Sequence, residues 1–277
     1  MTDQAEQLAR IAAALERICP LPMEPDWLGF PAYVRDERGG RGIARLEAPA
    51  LALLRGIDAQ KALVTANVAR LASGHAAHDM LLWGARGMGK SALLRAAVKS
   101  AQAGDSDRIA LVQVAPDALA GLSELFTDLG RTDRNFLVFL DDLGFSEEDS
   151  SGPRHLRSWL EGGVDARPGN VRLAVTANRR AIVPRHAAEQ DDPINPRDAV
   201  DDKLALADRF GLSIGFHACS QDDYLAIIAG YSEHYGLRFE AAEALEWARR
   251  RGARSGRTAW QFITELAGRA GRTLPSG

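Results

Sequence analysis

Apolar residues along this chain follow two rhythms. Between positions 80 and 216 they gather into short continuous runs: Met80–Trp83, Ile109–Val114, Phe136–Leu140, Val171–Thr176 and Leu212–Phe216. A run of strand length without polar alternation marks a strand buried on both faces, as in a parallel sheet. Helix formers fill the gaps, notably Ala92–Lys99 and Asp117–Leu129, the latter with Asp117 as N-cap and Gly130 as stop. Strand and helix therefore alternate, which predicts an α/β fold. Elsewhere the apolar spacing is helical. Leu8, Ile11, Ala12, Leu15 and Ile18 mark an amphipathic helix over 5–18, ended by Pro20 and Pro22. From Ser220 onward only helical spacing remains. Tyr224, Ile227, Ile228 and Tyr231 share one helix, 239–251 forms a second, and Trp260, Ile263 and Leu266 share a face of a third that starts near Arg257. Ser220-Gln221-Asp222-Asp223 reads as a capping box with Asp in place of Glu or Gln.

This divides the chain into an N-terminal helix and irregular arm (1–50), an α/β core (51–219) and a helical lid (220–277). The arm is rich in Pro, Gly and Arg, including Gly39-Gly40-Arg41-Gly42, and too poor in apolar residues for a core of its own. Its aromatics Trp27, Phe30 and Tyr33 are expected to pack on the main domain. Leu51–Leu71 reads as helices broken at Gly56-Ile57-Asp58, and Pro168-Gly169-Asn170 as a turn. The acidic run Glu147-Glu148-Asp149 reads as solvated, and short helices are expected over 155–160 and 201–210. The stretch 181–200, with Pro184, Pro193 and Pro196, reads as a long extended loop.

Composition narrows the classes. At 277 residues, 46% apolar and 26% charged, the chain suits a soluble globular protein of one or two domains. A formal charge of −3 supplies no general basic field for nucleic acid. Cys19 and Cys219 lack metal-ligand or redox spacing, no apolar run is long enough to span a membrane, and the N-terminus is acidic. The expected setting is the cytoplasm. His75 and His78 lack partners at ligand spacing and read as loop histidines.

The chemistry centres on Gly84-Ala85-Arg86-Gly87-Met88-Gly89-Lys90-Ser91, followed by Ala92. This segment fits the phosphate-binding pattern G-x-x-x-x-G-K-[ST] and stands between a strand run and a helix run, the arrangement the pattern requires. Glycines let successive N–H groups turn inward toward phosphate oxygens at the positive end of the helix. Lys90 is assigned to the β- and γ-phosphates and Ser91 to Mg²⁺. The run Phe136–Leu140 ends in Asp141-Asp142, the Walker B pattern: Asp141 to share Mg²⁺ with Ser91, Asp142 to polarise the attacking water. Asn178, at the tip of the next strand, is the candidate partner of the γ-phosphate or water. Arg209, at a helix end before the last strand, is the candidate finger for a neighbouring copy's site. Arg257, with Arg254 as fallback, is the candidate lid sensor.

In this order the pieces resemble the AAA+ ATPases. More narrowly, Leu82–Gly87, Asp208–Leu212, Ser220–Tyr224 and Gly256–Phe262 resemble a bacterial family of small AAA+ ATPases of unassigned function, over residues 45–270. Helicase-loader and transposition-helper ATPases are more distant relatives, also with two aspartates at the Walker B position. The resemblance implies a five-stranded parallel P-loop sheet flanked by helices, a small all-α lid, bound ATP and Mg²⁺, and a homo-oligomer in which the subunit interface completes the site. It also implies that the helix upstream of the glycine loop lines the adenine pocket. Most of the wider class carries Glu where this chain has Asp142, whose shorter reach argues against fast turnover. The expected activity is ATP hydrolysis that drives assembly or remodelling of an unknown macromolecular client. The alternatives are a nucleotide-gated scaffold with little hydrolysis or a DNA-associated loader. A small-molecule kinase is disfavoured by the strand-tip Asn and the lid. No aromatic-hydrophobic-glycine pore motif, helix-turn-helix or dense basic stripe stands out.

Overall fold

The apolar runs form one mixed sheet. The computed structural model describes residues 6–8, 10–11, 25–143, 160, 168–178 and 208–274. Most of the helix expected over 5–18, the acidic run at 147–149, most of the helices expected at 155–160 and 201–210, the 181–200 loop and Cys19 lie outside the described residues. Strands are β1 (Ala32–Asp36), β2 (Gly39–Ile43), β3 (Met80–Gly84), β4 (Ile109–Val114), β5 (Asn135–Leu140), β6 (Val171–Ala177) and β7 (Leu212–Phe216). Helices are α1 (Asp58–Ala72), α2 (Lys90–Gln102), α3 (Leu122–Gly130), α4 (Gln221–Tyr235), α5 (Ala241–Arg250) and α6 (Gly256–Arg269). The sheet order is β2-β1-β4-β5-β6-β3-β7, parallel throughout except for the β1–β2 hairpin.

The five expected strands are thus β4, β5, β6, β3 and β7, but among the described residues the sheet has seven. The two extra strands come from the arm that reads as irregular. Its glycines hide the strand signal because they serve packing: a Cβ on Gly40 would lie 2.6 Å from Pro25, and one on Gly42 would lie 2.1 Å from the Phe30 ring. Trp27 and Tyr33 pack on the sheet as expected, with ring centroids 4.9 Å apart. Arg134, buried at 3% exposure, anchors the arm by donating to the carbonyls of Trp27, Leu28 and Phe30.

Successive side chains of a strand point to opposite faces, so a sheet covered on both sides needs continuous apolar strands. Leu82, Leu137, Phe139 and Ile214 join Val64, Val68, Leu93 and Leu94 of α1 and α2 on one face. Leu81, Phe136, Val138, Leu173 and Val175 join Leu125, Phe126 and Leu129 of α3 on the other.

Local signals set several boundaries. The segment after β4 starts as a 3₁₀ turn (Pro116–Gly121) rather than an α-helix, and Asp117 makes no side-chain cap there. The capping box before α4 is present: Asp223 N–H donates to Ser220 Oγ at 3.0 Å, and Ser220 N–H to Asp223 Oδ2 at 3.2 Å. Helices α4–α6 form the lid and pack on the α1–α2 face through Tyr224, Ile228, Phe262 and Ile263. Among the described residues no helix is long and apolar enough to cross a membrane.

Candidate functional site

Neighbouring strands β5, β6 and β3 run parallel, so their C-terminal ends open onto one crevice. The glycine loop leaves β3 there and turns into α2. Gly84, Gly87 and Gly89 all have positive φ (130°, 75° and 86°), a region closed to most residues with a Cβ. At Gly84 a Cβ would lie 2.0 Å from the Phe216 carbonyl oxygen, so β3 and β7 close on each other only because no side chain is present. Lys90, the first residue of α2, is 8% exposed and folds back to donate to the carbonyls of Gly84 and Ala85 at 2.8 and 2.9 Å. Burial pulls its pKa down; Asp142 and Asp141 pull it up, and Arg86 and Arg257 add to the lowering.

The Ser91 hydroxyl donates to Asp141 Oδ1 at 2.6 Å, and Thr176 Oγ1 donates to the same oxygen at 2.8 Å. Consecutive strand residues would aim Asp141 and Asp142 at opposite faces. Here Asp142 takes φ 52°, the sole positive φ among described non-glycine residues, and the alternation breaks. Both acids consequently face the glycine loop: Asp141 meets Ser91, and Asp142 Oδ2 pairs with the Arg86 guanidinium at 3.4 Å. Asn178, one residue past β6, donates from Nδ2 to Asp142 Oδ1. Ser91 and Asp141 offer hard oxygen donors side by side, a set that suits Mg²⁺ rather than a soft metal. The glycine-lined curl with Lys90 at its base suits a phosphate chain.

The lid reaches the loop directly. Ser255 caps α6 by accepting from Thr258 N–H at 3.1 Å, and the Arg257 N–H donates to the Gly87 carbonyl at 3.2 Å. A Cβ on Gly87 would lie 2.9 Å from Ser255 Oγ. Beside the loop, Arg55, Gly56, Ile57, Gln60, Met88, His217, Cys219 and Asp223 contribute to a cavity of about 110 Å³. It sits where the α1 region, the loop and the lid meet, and the Gln60 amide is held by the Gly215 carbonyl at 3.0 Å.

Lys90, Ser91, Asp141, Asp142, Asn178 and the start of α6 at Arg257 therefore converge on one crevice. Arg209 does not join them within this chain. Met80 pairs with Leu212 and Gly84 with Phe216, so Arg209 precedes β7 at the end of the sheet away from the loop. A five-residue strand separates the ends by about 16 Å. Thr176 had no signal in the sequence, since a threonine inside an apolar run reads as an ordinary strand residue.

A glycine loop on a parallel sheet, two acids at the end of the strand two places away and a three-helix unit in contact with the loop make up a fold of the AAA+ type. The chain belongs to the family described as "Protein of unknown function (DUF815)", whose model matches residues 30–270. No curated protein matches it. Among solved structures it is similar to the Thermotoga maritima RuvB Holliday junction branch migration motor, at 18% identity and TM-score 0.54, over 82% of this chain and 68% of that one. It is similar to the Aeropyrum pernix ORC2 protein in ADPNP-ADP complexes, at 17% identity and TM-score 0.51, over 79% and 64%. The Aeropyrum pernix ORC1 protein in complex with DNA matches at 16% identity and TM-score 0.52, over 81% and 66%.

Proposed function

We propose that this protein is a Mg·ATP-dependent ATPase whose hydrolysis drives assembly or remodelling of a macromolecular client. The observation that carries the reading is the meeting of Ser91 and Asp141 at 2.6 Å beside the loop that holds Lys90. In this reading Lys90 exchanges its loop carbonyls for the β- and γ-phosphates, and backbone N–H groups from Gly87 to Ala92 line the phosphate chain. Ser91 and Asp141 hold Mg²⁺, which when bound offsets charge on the phosphate oxygens. Asp142 accepts a proton from the attacking water, and Asn178 orients that water or the γ-phosphate. The adenine lies in the cavity between Ile57, Met88 and Cys219. Arg257 senses nucleotide from the lid. Arg209, about a strand length from its own loop, serves the site of a neighbouring copy, so the active form is a homo-oligomer.

The DNA-bound relative and the branch-migration motor keep a nucleic-acid client open, although a net charge of −3 lends it no support. One observation favours a second reading, a nucleotide-gated scaffold with little turnover. Asp142 is engaged by both Asn178 and Arg86, and its short side chain has to turn from these partners to reach a water at the γ-phosphate. Steady-state phosphate release above the assembly concentration separates the two: sustained turnover that Asp142→Asn abolishes supports the ATPase, and binding without turnover supports the scaffold. Pull-down with Asp142→Asn in Mg·ATP then identifies the client.

A further inference from the structure

One buried hydroxyl joins the two acids. Thr176, 1% exposed, donates from Oγ1 to Asp141 Oδ1 at 2.8 Å, and Thr176 Oγ1 itself accepts from the Asp142 N–H at 2.8 Å. The Thr176 carbonyl accepts from the Leu143 N–H at 2.7 Å. The regular β5–β6 register ends at Leu140 opposite Val175, so the turn that carries both acids is suspended from Thr176.

We propose that Thr176 is a positioning residue that sets Asp141 and Asp142 relative to each other. The proposal rests on the reading above, in which Asp141 faces the metal and Asp142 the water. Its hydroxyl proton fixes the metal-side acid. Its lone pair fixes the left-handed turn at Asp142, a conformation that a residue with a Cβ adopts only when its surroundings hold it. Ser91 and Thr176 donate to the same carboxylate oxygen of Asp141. Once the Ser91 oxygen turns to a cation, Thr176 keeps that carboxylate in place. Valine would fill the same space on a buried strand, so core packing alone does not call for the hydroxyl.

The test compares Thr176→Val and Thr176→Ser in the full chain. Two quantities are read: the Mg²⁺ concentration that half-saturates binding of a fluorescent ATP analogue, and kcat and KM from phosphate release. For Thr176→Val the Mg²⁺ half-saturation point should rise about tenfold and kcat should fall about 10- to 100-fold, with analogue affinity in EDTA unchanged. Thr176→Ser should stay within about threefold of the unaltered protein in both. If Thr176→Val does not fold, Thr176→Ala takes its place against Thr176→Ser. Unchanged Mg²⁺ dependence and kcat in the hydroxyl-free variant overturn the proposal, as does a serine variant as impaired as valine. If the unaltered protein binds Mg·ATP without turnover, the ATPase reading falls while the Mg²⁺ titration still decides the role of Thr176. If its nucleotide binding is indifferent to Mg²⁺, the metal assignment and this proposal fall together.

Discussion

Ser91 and Asp141 stand 50 positions apart in sequence and meet through a hydroxyl–carboxylate hydrogen bond of 2.6 Å. One is the second residue of the helix after the glycine loop, the other the first residue past a strand two places away in the sheet. A parallel α/β sheet brings such groups together because all its strands end at the same edge. In the proposed reading the fold itself brings together the two hard oxygen donors that would hold Mg²⁺.

Lys90→Ala should lower ATP affinity by about 100-fold or more, since two charge-assisted contacts to phosphate disappear. Isothermal titration checks this. Near-normal binding would overturn the glycine-loop assignment.

Arg209→Ala should leave nucleotide binding intact and lower turnover by about 10³-fold, the scale of lost arginine fingers in other nucleotide hydrolases. Because the arginine would act on a neighbour, mixing it with Asp142→Asn protein should restore activity in part. Phosphate release from the mixture, compared with either variant alone, is the measurement.

Gly87→Ala should fold and yet bind ATP more weakly. Its φ of 75° strains any side chain, and the added methyl would lie 2.9 Å from Ser255 Oγ. The cost should be about 1–3 kcal/mol, read as a roughly 5- to 150-fold loss of affinity. Affinity unchanged from the unaltered protein would mean that the lid contact is irrelevant to binding.

Arg134→Ala should destabilise the fold by about 3 kcal/mol, because the arginine is buried and feeds the carbonyls of Trp27, Leu28, Phe30, Ser106 and Ile109. Chemical denaturation measures the loss. Limited proteolysis should cut first near residues 25–31, ahead of the sheet; a uniform cleavage pattern would argue against the anchoring role.

Burial pushes the Cys219 thiol up to about 11. A raised thiol pKa leaves little thiolate at neutral pH, so in a Cys19→Ser background iodoacetamide should react about 100-fold more slowly at pH 8 than with an ordinary thiol. The rate should climb through pH 10. ATP should slow it further, because Cys219 lines the cavity beside Met88. Rapid labelling that ATP does not affect would remove the adenine from that cavity.

The parts of the site that were legible in sequence are those where chemistry constrains neighbours in the chain. Gly84–Ser91 needs its glycines at fixed spacing, and Phe136–Leu140 must be apolar at every position because both faces of β5 are buried. What escaped depends on contacts between distant segments. The β1–β2 hairpin escaped because Gly40 and Gly42 leave room for Pro25 and Phe30, which erases the usual strand pattern. The left-handed turn at Asp142 escaped because its support is Thr176, 34 positions later. Arg257 reads as a lid sensor through its charged side chain, whereas the contact observed with the loop runs through its backbone N–H.

That backbone bond to Gly87 ties two bodies that the chain connects only by a long detour. A hydrogen bond weakens steeply once stretched by even an ångström, so a swing of the three-helix unit would loosen its tie to the glycine loop. If the loop holds phosphate as proposed, a partner that leans on the outer surface of these helices would act on the nucleotide through this one bond.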